Sequence, residues 1–337
     1  MDRAAIVALP KAELHVHLEA AIRPELAAEL AERNSAPPPP QGPFADQREF
    51  VSAYERARDL IGSVDDLHEV ARAFGEHQRH CGVDWSEVHF VPPTYAGRLG
   101  HDDALVEAVV DGLAAGAGRD AAALIIGINR GLGPDAAERS LDLALRWAGR
   151  GVVALGFAGD EGAYPIEPYL AVLERGRAAG LPCVPHAGEV PLPASVAATL
   201  AAAPARICHG LSAAADEALV RRLARTGVCL DMAPSSNELL GLVPSLAAHP
   251  LPRLMQAGVP VTLSTDIPLF LGHDLIDEYA ACQAAWSLSD DALRALAKNS
   301  LTYASTPPRC GPSSTVLKTE MVDDGPHLED QATGLRR

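Results

Sequence analysis

The feature that most restricts this chain is a repeat. A short apolar run followed by a longer segment with helical spacing recurs eight times between residues 12 and 266. The runs are AELHVHL (12–18), VDWSEVHFV (83–91), ALIIGIN (123–129), VVALGFA (152–158), LPCVPHA (181–187), RICHG (206–210), VCLDMA (228–233) and PVTLSTD (260–266). Between them, segments such as DDALVEAVVDGLAAGA, AAERSLDLALRWAGR and ADEALVRRLARTG place apolar residues at i, i+3, i+4 and i+7, the spacing of a helix with one buried face. Several of these segments end in glycine, a common helix stop. Eight strands alternating with helices predict an α/β fold, a (β/α)8 TIM barrel, for which about 250 residues is usual. A doubly wound open sheet is the alternative, but the Gly-x-Gly-x-x-Gly turn frequent after its first strand is absent.

One connection is far longer than the rest. Between the first and second strands lies SAPPPPQGPF (35–44), whose four consecutive prolines favour an extended polyproline conformation. A predicted pair of helices follows, with Phe50, Tyr54 and Leu60 on one side. Long insertions at the carboxyl face of a barrel commonly act as lids, and residues 35–80 are read as a lid-like insertion in a single barrel domain spanning 1–305. The segment 306–337 has no sustained periodicity and many turn formers and charges, so a disordered tail is expected there.

Composition narrows the partners. A formal charge of −16 argues against nucleic acid or an anionic membrane surface, both of which require a basic face, and favours a small-molecule substrate. Six cysteines without a Cys-x-x-Cys pair suggest neither a disulfide framework nor a thiolate zinc site. The apolar stretch within MDRAAIVALPKAEL is too short for a signal peptide or a membrane span, so the cytoplasm is the expected location.

Polar residues then collect at the strand ends. His15 and His17, two apart on the first strand, share one face. His186 and Glu189 close the fifth strand, His209 ends the sixth, and Asp266 ends the eighth. All fall on the face where barrel enzymes build their sites. Taken singly, each is compatible with a satisfied core histidine or a turn-capping carboxylate. Four imidazoles and two carboxylates around one point are costly to bury unless a cation pairs them. Three imidazoles and a carboxylate make a good zinc set, and zinc lowers the pKa of bound water to about 7. The expectation is a zinc hydrolase.

The motifs PKAELHVHLEAAIRPE, FAGDE, HAGE, RICHG, APSSN and LSTDIP are similar, in order and spacing, to those of the adenosine deaminase family of the amidohydrolase superfamily, over residues 8–305. This resemblance implies that His15, His17, His186 and Asp266 bind zinc, that Glu189 donates a proton to purine N1, and that His209 and Asp266 orient and deprotonate the attacking water. It also implies that Gly159 presents its backbone to purine N3 and that Glu19 reaches a ribose hydroxyl. Binuclear amidohydrolases bridge two metals with a modified lysine on a middle strand. Lysine occurs here only at 11, 298 and 318, so one zinc per chain is expected.

The implied reaction is zinc-dependent deamination of a 6-aminopurine nucleoside, adenosine or deoxyadenosine, to inosine or deoxyinosine plus ammonia. Three departures bear on the substrate. Ala20 stands where the family usually has glycine, His89 where it often has arginine, and Ile267 where it commonly has a second aspartate thought to bind purine N7. Loss of one such buried hydrogen bond is worth about 1–3 kcal/mol. The stretches VPPTYAGRLG and VVALGFAGDE look somewhat like the branch acting on aminodeoxyfutalosine, which is the alternative substrate. A purine-binding relative without turnover is the alternative from another class.

Overall fold

The computed structural model describes residues 1–45 and 47–305. Eight strands follow one another in a single parallel sheet of order β1 to β8. They are β1 (Ala12–His17), β2 (Trp85–Phe90), β3 (Ala122–Asn129), β4 (Val152–Ala158), β5 (Cys183–Ala187), β6 (Arg206–His209), β7 (Cys229–Met232) and β8 (Val261–Leu263). The sheet nearly closes on itself: beyond β8, Asp266 bridges to β1, its N–H donating to the His15 carbonyl and its carbonyl accepting from the His17 N–H, both at 3.0 Å. The expected (β/α)8 barrel is the observed fold. The predicted tail at 306–337 lies outside the described residues. No helix among the described residues is long and apolar enough to cross a membrane.

The long first connection divides its labour. Helix Val64–His80 runs along the barrel wall, burying Leu67, Val70 and Phe74. Such side chains each contribute about 1.5–3 kcal/mol on burial. It approaches helix Asp102–Gly116 closely through glycines: a Cβ added at Gly112 would stand 2.4 Å from the His68 carbonyl oxygen. Helix Gln47–Asp59 instead sits over the carboxyl ends of the strands. Phe44, Phe50 and Phe270 pack ring against ring there, at centroid distances of 5.5–5.9 Å, tying this helix to the turn after β8.

The opposite end of the barrel is closed by charge. Arg206, at the start of β6, is fully buried and bonds Glu87 of β2 (2.6 Å) and Asp231 of β7 (2.7 Å). Thr262 of β8 donates to the other Asp231 oxygen at 2.8 Å, and Arg206 also donates to the Tyr303 carbonyl. This network spans the barrel below the site and fixes Asp231, whose backbone the site uses.

Candidate active site

The strand ends converge on one cavity of about 590 Å³, walled on its outer side by helix Gln47–Asp59. Within it, alternation along β1 aims His15 and His17 the same way, and β5 supplies His186. His209 and Asp266 hold left-handed backbone conformations, φ 65° and 64°. Such strain in non-glycine residues persists only where the surroundings enforce it, and it tends to mark functional positions.

The geometry around these groups fits a cation. His186 Nε2 lies 3.1 Å from both His15 Nε2 and His17 Nε2, and Asp266 Oδ1 lies 3.3 Å and 3.4 Å from the same two nitrogens of β1. His15 Nδ1 is 3.1 Å from the Asp231 carbonyl, and His186 Nδ1 is 3.1 Å from the Phe157 carbonyl. A carbonyl only accepts, so each Nδ1 carries its ring's proton and each Nε2 presents a lone pair. Lone pairs and a carboxylate oxygen therefore face one another at contact distance. That arrangement repels itself unless a cation stands between them. Tetrahedral coordination with bonds of about 2.0–2.1 Å would separate its donors by about 3.3 Å, matching these spacings.

The electrostatics agree. Burial disfavours a charged His15, yet the neighbouring Asp266 carboxylate raises its pKa. Burial lowers His17 to about 4, and burial followed by repulsion from His15 and His17 holds His186 well below its ordinary value. Burial would push Asp266 up, but His15, His209 and His17 keep it below the usual carboxylate range. Ser236 donates to Asp266 Oδ2 at 2.6 Å, orienting the carboxylate.

Glu189 lines the same cavity, 3.9 Å from His209 Nε2. Burial, then the Asp266 and Glu161 carboxylates, push its pKa up to about 8. The turn from His186 to Val190 that carries it is gripped from two sides. Glu161 accepts from the N–H groups of Gly188 (2.5 Å), Glu189 (3.1 Å) and Val190 (3.1 Å). Arg130, stacked on the Phe157 ring, donates to the His186 carbonyl at 2.8 Å.

The remaining expected contacts differ in character. Gly159 lines the cavity with φ 104°, and a Cβ there would stand 2.8 Å from Asn129 Oδ1, so the position requires glycine. Glu19 reaches the cavity, but both its oxygens already accept 2.8 Å hydrogen bonds, from Tyr54 and from Tyr95. Ile267 lines the cavity and is 1% exposed. Ala20 does not line it; its methyl is buried in the core. His89 packs beneath the donor set, its ring 5.1–5.5 Å from those of His15, His17 and His186.

Apart from Ala20, the site residues singled out from the sequence thus border this one cavity or its floor. Sequence reading passed over Glu161, Ser236 and Asn237, although FAGDE and APSSN contain them. It also passed over Arg130 and His249, which stand in no motif.

The chain matches the adenosine deaminase family over residues 10–309. It is 33% identical to adenine deaminase of Caulobacter vibrioides, the alignment covering 87% of this chain and 88% of that protein. It is 34% identical to aminodeoxyfutalosine deaminase of Acidothermus cellulolyticus, covering 82% and 83% respectively. The crystal structure of adenine deaminase from Arthrobacter aurescens is similar with a TM-score of 0.81 at 28% identity, covering 88% of this chain and 94% of that one. A barrel with this donor set, these motifs and these relatives belongs to the adenosine deaminase family and is a hydrolytic deaminase acting on C–N bonds.

Proposed function

We propose that the protein deaminates a 6-aminopurine nucleoside by zinc-dependent hydrolysis, with His15, His17, His186 and Asp266 holding one zinc ion per chain. The observation that carries this reading is the inward-facing set of lone pairs and carboxylate oxygen at 3.1–3.4 Å, beside a carboxyl group that keeps its proton near neutral pH. When bound, zinc makes water a nucleophile at neutral pH by lowering its pKa to about 7.

The chain's own groups supply the rest. Asp266, ionised and oriented by Ser236, accepts the proton released as water adds to purine C6. Glu189 delivers its proton to N1, which lets C6 take the new bond without charge building on the ring. The C6–N6 bond then breaks: the nitrogen leaves as ammonia with a proton returned from Asp266, while the C6 oxygen becomes the carbonyl and gives up its remaining proton, which restores Glu189 to its protonated form. His209, held 3.9 Å from Glu189 by the strained end of β6, flanks the reacting centre. The Gly159 backbone faces purine N3 and Glu19 the sugar. Helix Gln47–Asp59 acts as the lid, latched to the barrel by the hydrogen bond from Tyr54 to Glu19.

Adenosine and deoxyadenosine are the proposed substrates, with the sugar occupying the outer cavity. The extent of that cavity favours a second reading, aminodeoxyfutalosine. At about 590 Å³ it continues outward between Arg48, Phe50 and Tyr54 of the lid helix and Tyr164 of the loop after β4, where an aryl extension fits. Ile267 offers N7 no hydrogen bond in either case. Steady-state ammonia release from adenosine, deoxyadenosine, adenine and aminodeoxyfutalosine tests the assignment. The proposal predicts the highest kcat/KM among the nucleosides; free adenine exceeding all of them would overturn the nucleoside reading.

A further inference from the structure

We propose that Asn237 and His249 are positioning residues that lock the tautomer of His209, so that its Nε2 offers the cavity a proton rather than a lone pair. The proposal builds on the deamination reading above, but the hydrogen bonds that carry it are independent of any substrate. They form a chain whose direction is fixed at one end. The Leu251 backbone N–H, which can only donate, lies 3.1 Å from His249 Nδ1. That nitrogen must present its lone pair, so the His249 ring carries its proton on Nε2.

His249 Nε2 in turn lies 3.1 Å from Asn237, and it can donate only to the amide oxygen. The amide orientation follows: Asn237 Nδ2 faces His209 Nδ1 at 3.3 Å and donates to it. A proton on His209 Nδ1 would place donor against donor. The neutral ring therefore carries its proton on Nε2, the nitrogen on the Glu189 side of the cavity. An imidazolium is excluded by the same contact, since it too has a proton on Nδ1.

The lock is built to hold. Asn237, His209 and His249 are 0%, 1% and 3% exposed, so bulk water cannot relieve a reversed arrangement. The His249 ring also packs beside the Trp286 indole at 5.9 Å. Reversing any member leaves two buried donors facing each other, which polar networks in a low-dielectric interior tolerate poorly. The consequence is a division of roles in which His209 donates to the oxygen as charge develops there, leaving proton acceptance to Asp266.

Nitrogen-15 spectra of histidine-labelled, zinc-loaded protein test this, because the two neutral tautomers and the cation give distinct shifts. The wild-type His209 is expected as the Nε2–H tautomer. Asn237→Asp, nearly isosteric, replaces the amide donor with an acceptor and is expected to move the proton to Nδ1. With it, kcat is expected to fall by about 10²–10⁴-fold, the range seen when a catalytic histidine is held in the wrong tautomer or a proton-transfer group is lost. KM and zinc content are expected to stay within threefold of wild type. His249→Phe frees the amide to rotate and is expected to give mixed tautomers with a smaller kcat loss. A wild-type Nδ1–H tautomer overturns the proposal, as does a kcat loss in Asn237→Asp with the tautomer unchanged. The wild-type spectrum decides even where a variant does not fold. An inactive wild type with the Nε2–H tautomer would refute the deamination reading and leave the lock standing.

Discussion

Replacing Glu189 with glutamine keeps the side chain's size and its hydrogen-bonding capacity but removes the transferable proton. The structure sets the scale of the loss. A carboxyl titrating at about 8 is protonated in roughly nine molecules of ten at pH 7, whereas one at its ordinary 4.5 would be protonated in about three of a thousand. Burial beside Asp266 and Glu161 thus keeps the acid available about 300-fold more often than an exposed carboxyl would be. Loss of a positioned general acid costs about 10²–10⁴ in rate, so kcat of Glu189→Gln is expected to fall in that range with KM little changed. The pH profile carries a second signature. If Glu189 is the proton donor, activity is expected to fall as pH rises through its pKa, at or below about 8, because a bound cation offsets part of the Asp266 contribution. Folding stability runs the same way. Glu189 holds its proton more tightly when folded, so it favours the folded state below about pH 4.5 and penalises it progressively up to about pH 8. Glu189→Gln lacks that penalty and is expected to melt at the same temperature as wild type, or higher, at pH 8. Ammonia release from pH 5 to 10, with melting curves at pH 8, makes the comparison. Full activity in Glu189→Gln, or wild-type activity undiminished from pH 8 to 10, would refute the assignment.

Other perturbations follow from the same structure. Glu161→Gln removes the carboxylate that holds three consecutive N–H groups around Glu189. Misplacement by about 1 Å can cost ~10²-fold, so kcat is expected to fall by about that much while amide exchange at residues 188–190 accelerates. Arg206→Ala leaves Glu87 and Asp231 buried without their cation. It is expected to lower unfolding stability by about 3–5 kcal/mol in denaturant titrations. Tyr54→Phe keeps the aromatic contact with Phe50 but cuts the latch to Glu19. A hydrogen bond of this kind contributes about 0.5–1.5 kcal/mol, so KM is expected to rise about two- to tenfold, with faster proteolysis within the lid helix and kcat little changed.

How much of this was legible in the sequence depended on the range of the interaction. The strands were visible because chains buried on both faces read as continuous apolar runs, and β4 occupies the whole of VVALGFA. The last run, PVTLSTD, is longer than its strand, Val261–Leu263, because the backbone turns left-handed at Asp266 to aim that carboxylate inward. The donor set was legible because the expected ligands lie at or just beyond the carboxyl ends of β1, β5 and β8. Its supports were not. His249 gains meaning only through Asn237, and Arg130 only through the His186 carbonyl, contacts made by folding rather than by spacing. Two of the three departures also separate in space. Ala20 is absorbed by the core, while Ile267 remains on the cavity wall and bears on the substrate.

The central claim is that four side chains gather around one catalytic zinc. Its most direct test is to strip the protein with a chelator, titrate zinc back, and follow bound metal and ammonia release from adenosine together. The account predicts no turnover without metal and activity rising linearly to a break at one zinc per chain, with both lost in His15→Ala and in Asp266→Ala. Full turnover by metal-free protein, or a break at two zinc ions per chain, would contradict it.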